Sequence, residues 1–295
     1  VITESEFWPN LLREAARLTR GVVLVNGRIS DRSFSRYKRI KPFTRRVLSS
    51  INQFLVQTER DREMFVRLGI PPDRIHVAGN LKAEIDLPHF SAETLAILRS
   101  RLNIPDSARV VTAGSLHPGE EELLLEAFSR ARKKNPDLRL ILAPRHPSRA
   151  AEVEQECRRY PVAFQKKSSP QLQPKWDVLI VDTLGELPEF YAVADAAFVG
   201  GSLVPVGGHN LLEPAYYAKP IFFGPHMQNF SHLAEIFIQM GAATVVRGLE
   251  DLARMFASLA ENELQQAGEK ARATLESLRG ATEKTVRTIE KLMAR

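Results

Sequence analysis

Short apolar runs recur along the chain, each set off by polar residues from a stretch in which apolar positions return with helical spacing. The runs Val22–Asn26, Phe54–Gln57, Ile75–Ala78, Val110–Ala113, Leu138–Ala143, Val178–Val181, Ala196–Val199, Ile221–Phe223 and Thr244–Val246 read as strands. Glu121–Lys133, Leu187–Ala194 and Phe230–Met240 carry the helical pattern between them. Short apolar strands alternating with helices predict an α/β fold with parallel sheets covered on both faces. The chain opens "VITESEFWPNLL", which reads as the end of a buried strand entering a helix, so the first domain is expected to be incomplete. "LKAEIDLPHFS", Leu81–Ser91, has weak periodicity and a proline, and reads as a linker between two α/β units. Neither internal repeats nor low-complexity segments are visible.

Composition narrows the class. With 295 residues, 44% hydrophobic and 26% charged, the chain suits two medium α/β domains of a soluble globular type. One cysteine, Cys157, excludes an internal disulfide framework, argues against a structural zinc site and fits a reducing, cytoplasmic compartment. No apolar run approaches a membrane span and no secretory signal is visible.

Charge adds a second feature. The formal net charge is +6, and Arg28, Arg32, Arg36, Lys38, Arg39, Lys41, Arg45 and Arg46 form a basic stretch opposed only by Asp31. Such a stretch is either a solvated face or a surface for anionic partners such as phospholipid. Only Phe34, Tyr37 and Phe43 interleave it, which lends nucleic-acid binding little support.

In open parallel sheets ligands collect at the carboxyl ends of the strands, so the loops there are the candidates for chemistry. The first reads "AGSLHPGEEE", where Gly114 and Ser115 would let backbone amides approach an anion ahead of a helix N-terminus. The second, "APRHPSR", places Arg145 and His146 between prolines. Arg145 suits a forked contact to phosphate or carboxylate, and His146 is either structural or a base contact. In the third, "VDTLGELPEFY", Asp182, Thr183, Gly185 and Glu186 precede a helix that either Asp182 or Thr183 would cap.

The fourth loop, "GGSLVPVGGHNLLEPAYYAKP", joins a strand to a helix expected to begin at Leu211 with Asn210 as N-cap. Gly207 and Gly208 precede His209 and Asn210, and the exposed amides around Gly208 to Leu211 would bind an oxyanion. Glu213 would favour the helix dipole or grip ribose hydroxyls. No Walker loop, no G-x-G-x-x-G after a strand and no D-x-D metal pair is present. Four such loops describe a nucleotide pocket in which amides, Arg145 and helix dipoles neutralise phosphate, with no metal.

The motifs "ESEFWPN", "NGRIS", "GSLHPGEEE", "APRHPSR", "DTLGEL", "GGSLVPVGGHNLLEPA" and "GPHMQNF", in this order over essentially the whole chain, resemble the 3-deoxy-D-manno-octulosonic acid (Kdo) transferases of lipopolysaccharide synthesis. The resemblance implies two Rossmann-like domains facing a cleft, the glycosyltransferase B arrangement. Residues 1–84 would be part of the acceptor domain, and 85–295 the CMP-Kdo domain with the C-terminal helices. It further implies inverting, metal-independent transfer of Kdo from CMP-Kdo to the lipid A precursor at the cytoplasmic face of the bacterial inner membrane. Arg145, His146, the Asp182–Leu187 loop, Gly207, Gly208, Asn210 and Glu213 would then form the CMP side. Glu4, Glu6 and Arg28 would face acceptor and sugar, and the basic stretch the anionic lipid surface. The family carries a membrane anchor and a Ser-Val-Gly-Glu motif, with the expected catalytic base, ahead of the point where this sequence starts. The chain is accordingly expected to bind donor without completing the reaction; the alternatives are another two-domain nucleotide-sugar glycosyltransferase or epimerase, or a non-catalytic nucleotide- or anionic-lipid-binding module.

Overall fold

A computed structural model describes residues 1–260 and 262–293. The chain divides into two compact units, Val1–Glu84 with Glu276–Arg295, and Ile85–Leu275.

In the first unit β1 (Ile2–Thr3), β2 (Val23–Gly27), β3 (Gln53–Val56) and β4 (Ile75–Val77) form a parallel sheet in that order. The helices α1 (Pro9–Leu18), α2 (Asp31–Arg39), α3 (Lys41–Leu48) and α4 (Glu59–Arg67) connect them. In the central strands β2 and β3 alternate residues face opposite ways, and both sets are largely apolar. Leu24, Phe54, Val56 and Ile75 join Leu12, Phe34, Leu48 and Phe65 in one core. Val23, Val25, Leu55 and Ala78 form the other.

The second unit is a seven-stranded parallel sheet. Its elements are α5 (Ala92–Arg101), β5 (Arg109–Leu116), α6 (Glu120–Arg132), β6 (Leu138–Pro144), α7 (Ala150–Cys157), β7 (Phe164–Lys166), β8 (Val178–Ile180), α8 (Leu187–Val193), β9 (Ala196–Val199), α9 (Leu212–Tyr216), β10 (Ile221–Phe223), α10 (Ser231–Gln239), β11 (Ala243–Val245), α11 (Leu249–Ala257) and α12 (Asn262–Ser277). The final helix, α13 (Ala281–Met293), belongs to the first unit. Strand order is β11-β10-β9-β5-β6-β8-β7. The chain runs outward from β5 through β6, then returns to β5's other side at β9, so the order reverses between β5 and β9. That is the topological switch point of a Rossmann-like sheet. Val111, Ala113, Leu140, Leu142, Val178 and Ile180 face one core, while Val110, Ile141, Ala143, Leu179 and Val181 face another with Trp176 and Phe190.

Three expectations need correction. The C-terminal helices do not all belong to the second unit, because Ile289 and Leu292 of α13 pack over Val23, Val25, Leu55 and Ala78 and cover the open face of the first sheet. The opening strand is not buried: β1 is an edge strand with Ile2 half-buried and Thr3 exposed. The strand β7 was not expected; it pairs with β8, and Asp177 fixes its start by accepting the Ala163 amide at 2.8 Å.

Candidate functional site

The loops after β5, β6, β8, β9 and β10 converge at one edge of the second sheet, and at the switch point their backbones touch. A Cβ on Gly200 would lie 2.5 Å from the carbonyl oxygen of Ser115 and 2.8 Å from the Cα of Leu116, so only glycine fits where the β9 loop leaves the sheet. Gly114 faces the hydroxyl of buried Tyr191 with no room for a side chain. Ser115 holds a left-handed φ of 58°. The amide of Arg145 donates to the Leu116 carbonyl at 2.9 Å and ties the β6 loop to the same place.

Two residues absent from the sequence-based expectations organise this edge. Glu120, fully buried at the start of α6, accepts amide hydrogens from His117, Gly201, Ser202 and Leu203 at 2.7–3.0 Å. His117 meets His209, with Nε2 atoms 2.8 Å apart and ring planes 10° from parallel. One of these nitrogens must carry the bridging proton and the other accept it. His209 titrates at about 4, depressed first by burial and then by the neighbouring charges of His117, Arg145 and His146. His117 is depressed as well, mainly by burial, with Arg149, His146 and Arg145 adding to the effect and Glu120 opposing it. Arg149 lies behind it, paired with buried Glu121 at 2.9 Å. The signal for Glu120 was the three-residue step from His117, the spacing at which a carboxylate reaches back to a preceding amide.

The β9 loop needs left-handed backbone at Gly201, Gly207 and Gly208, with φ of 65°, 110° and 75°. The Gly208 amide donates to the Gly201 carbonyl at 2.7 Å, so it is not free for an oxyanion as expected. Among the described residues the amides of His209, Asn210 and Leu211 have no partner. The helix begins one residue later than expected, at Leu212, so its N-cap is Leu211 and not Asn210, whose side chain instead accepts the Leu212 amide at 3.1 Å from one position further back. Asn210 also donates to Glu213 at 3.3 Å. Burial raises the Glu213 carboxyl above its ordinary range, against the stabilising Asn210 hydrogen bond and the charge of Arg145. The Arg145 guanidinium is exposed, within electrostatic reach of Glu213, His117 and His209, and has no side-chain partner among the described residues. His146 is exposed beside it.

The β8 loop differs from expectation. The Asp182 carboxylate accepts the amide and hydroxyl of Ser168 at 2.9 and 2.5 Å, and Glu186 accepts from Thr183 and pairs with Lys167. Neither Asp182 nor Thr183 caps α8; the N-cap is Glu186. Asp182 and Glu186 thus tie the β8 loop to residues 167 and 168 after β7, while Gly185 has φ 83° and open space around it.

In the first unit Glu4 and Arg28 follow the adjacent strands β1 and β2. Glu4 pairs with Lys82 at 2.8 Å, Glu6 accepts the Trp8 indole hydrogen at 2.6 Å, and Arg28 is exposed. Arg32, Arg36, Lys38 and Arg39 lie on α2, and Lys41, Arg45 and Arg46 on α3. All seven are exposed, with Ile40 and Phe43 also exposed among them. Among the described residues no group of three His, Cys, Asp or Glu side chains is placed to hold a metal ion. No described helix is long and apolar enough to cross a membrane.

Comparison with known proteins gives this arrangement a family. The family model described as "3-Deoxy-D-manno-octulosonic-acid transferase (kdotransferase)" matches residues 1–85. A Rickettsia felis 3-deoxy-D-manno-octulosonic acid transferase is 37% identical over 253 residues, covering 85% of this chain and 53% of that protein. A bifunctional glycosyltransferase/methyltransferase of Fusobacterium nucleatum is 36% identical over 266 residues, covering 89% and 41%. The chain thus spans about half the length of the curated relatives it matches. The crystal structure of the C-terminal CMP-Kdo binding domain of WaaA from Acinetobacter baumannii superposes with a TM-score of 0.58 at 30% identity, covering 62% of this chain and 96% of that one. UDP-GlcNAc 2-epimerase from Neisseria meningitidis, with a TM-score of 0.61 at 13% identity, shares the fold. The protein belongs to the 3-deoxy-D-manno-octulosonic acid transferase family.

Proposed function

We propose that the protein is a glycosyltransferase that moves Kdo from CMP-Kdo to the lipid A precursor, lipid IVA, in lipopolysaccharide biosynthesis, with inversion at the anomeric centre. The observation that carries this reading is the 30% identity to a CMP-Kdo binding domain across 96% of its length, laid over a sheet whose loops converge at a switch point. The donor phosphate is assigned to the free amides of His209–Leu211 and the unpaired Arg145 guanidinium. Glu213, held by Asn210, is assigned to the ribose hydroxyls. Gly114, Ser115, Gly207 and Gly208 shape the pocket by keeping backbone close, and His146 and Gly185 line its approaches. No metal is required in this reading, because amides, helix ends and a guanidinium supply the positive charge.

Glu4, Glu6 and Arg28 are assigned to the acceptor and the sugar carboxylate, with Glu4 and Glu6 orienting substrate rather than acting as base. The basic side chains of α2 and α3, with Ile40 and Phe43 exposed among them, suit the anionic cytoplasmic face of the inner membrane and a doubly phosphorylated acceptor. Calorimetry with CMP in the presence of EDTA tests the donor assignment. Binding is expected without added metal, whereas binding of UDP but not CMP rejects the reading.

A further inference from the structure

A buried carboxylate whose partners are all backbone amides is costly to keep dry, and is retained only where each oxygen is satisfied. Glu120 meets that condition across two loops. One oxygen takes the amides of His117 and Gly201, at 3.0 and 2.7 Å, and the other those of Ser202 and Leu203, at 3.0 and 2.9 Å. Four charge-assisted hydrogen bonds fill the acceptor capacity of the group. The node extends further. The Ser202 hydroxyl accepts the Gly224 amide at 2.8 Å, and its carbonyl accepts the His226 amide at 2.9 Å, which brings in the loop after β10. The rings of His117 and His209 lie against Gly201, within 3.3 Å of where a Cβ would stand.

We propose that Glu120 is a positioning residue of the donor site: it fixes the loop after β9 against the loop after β5, and through Gly201 sets the His117–His209 bridge and the open amides beyond it. The proposal rests on the reading that this edge receives the donor. It adds a residue that meets no ligand yet decides whether the ligand's partners are in place. Glu120→Gln removes one acceptor and turns an amide group toward two N–H donors, at almost unchanged volume.

The test has a ligand-free arm and a ligand arm. In wild type the amides of Gly201, Ser202 and Leu203 are expected to resist hydrogen exchange, although they lie outside any strand; exchange at open-loop rates would overturn the proposal without any variant. In Glu120→Gln those three amides are expected to exchange at least ten times faster, while Leu140 and Ile180 in the sheet interior keep their protection. The His209 ring, followed by NMR, is expected to titrate nearer its ordinary 6.5 than the native value of about 4, because the bridge to His117 opens and water reaches the ring. The groups facing it are His117, Arg145 and His146, with Glu120 and Arg149 behind His117. An unchanged His209 titration in a folded variant would overturn the proposal. CMP affinity is expected to fall at least tenfold, and an unchanged affinity would likewise overturn it. If wild type fails to bind CMP, the donor reading fails, and the ligand-free arm still decides whether Glu120 positions the loops.

Discussion

Lowering the pH should weaken the second unit through its paired imidazoles, His209 most strongly and His117 in the same direction. His209 in the folded protein titrates at about 4, against an ordinary value of 6.5. Between those limits the unfolded chain binds a proton that the native ring refuses. Stability is therefore full above about pH 6.5 and is lost as the pH falls toward about 4. At about 1.4 kcal/mol per pH unit that interval sets a ceiling of about 3.5 kcal/mol. The ring is half-buried, so solvent screening reduces the expected loss to about 1.5 kcal/mol. His209→Gln keeps a hydrogen-bonding partner for His117 and removes the titration. With Trp8 replaced by Phe, the remaining indole is Trp176, which is buried in the second unit and donates to the Leu102 carbonyl, so its emission reports that unit alone. Urea titrations followed at this indole, between pH 7 and pH 4, should show the parent losing about 1.5 kcal/mol more than the variant. A difference that stays constant to within about 0.3 kcal/mol would refute the depressed titration and the burial that chiefly causes it.

Gly200→Ala should destabilise the same unit by about 2–3 kcal/mol in the same assay, because its Cβ would meet the backbone of Ser115 and Leu116, which cannot swing aside as a side chain can. Glu213→Ala should weaken CMP binding by about 1–3 kcal/mol by calorimetry, through lost charge-assisted hydrogen bonds; unchanged affinity would leave Glu213 as a structural partner of Asn210 only. Arg145→Lys should weaken it too, since an ammonium cannot reproduce the fork of a guanidinium, and equal affinity would remove Arg145 from the phosphate.

The strands read with the sharpest ends are those whose both faces are apolar, although β4 and β11, with exposed His76 and Thr244 at their centres, were also legible. Ala196–Val199 and Ile221–Phe223 coincide with β9 and β10, because a strand buried on both sides leaves an uninterrupted apolar run between breakers. Phe164–Lys166 could not be read this way: it is three residues with a polar centre, made a strand by pairing with β8 and by Asp177. The site shows the same division. Glycines at Gly207 and Gly208 were legible because a left-handed backbone is a local demand, whereas the demand at Gly200 comes from the distant backbone of Ser115 and Leu116. The partners of carboxylates were not, because an Asp or Glu beside a loop looks the same whether it awaits a ligand or holds a backbone. Asp182 is spent on Ser168, and Glu120 on amides more than eighty positions later in the chain.

Under the proposed donor reading, the same distinction predicts where in the β9 loop an anion would sit. Every amide tied to Glu120 is unavailable to a phosphate, and the fixed negative charge of a buried carboxylate opposes a second anion nearby more strongly than it would in water. The donor phosphate should therefore avoid Gly201–Leu203, although the paired glycines Gly200 and Gly201 resemble an anion loop. It should lie further along, where the amides of His209, Asn210 and Leu211 are free and the Arg145 guanidinium is near enough to act on Glu213. Addition of CMP to nitrogen-15-labelled protein should accordingly move the amide resonances of His209–Leu211 and the guanidinium resonance of Arg145 most, and those of Gly201–Leu203 least. Largest shifts at Gly201–Leu203 would mean that the ligand displaces Glu120 from its amides, and the carboxylate would then be a gate competing with the donor rather than a fixed support.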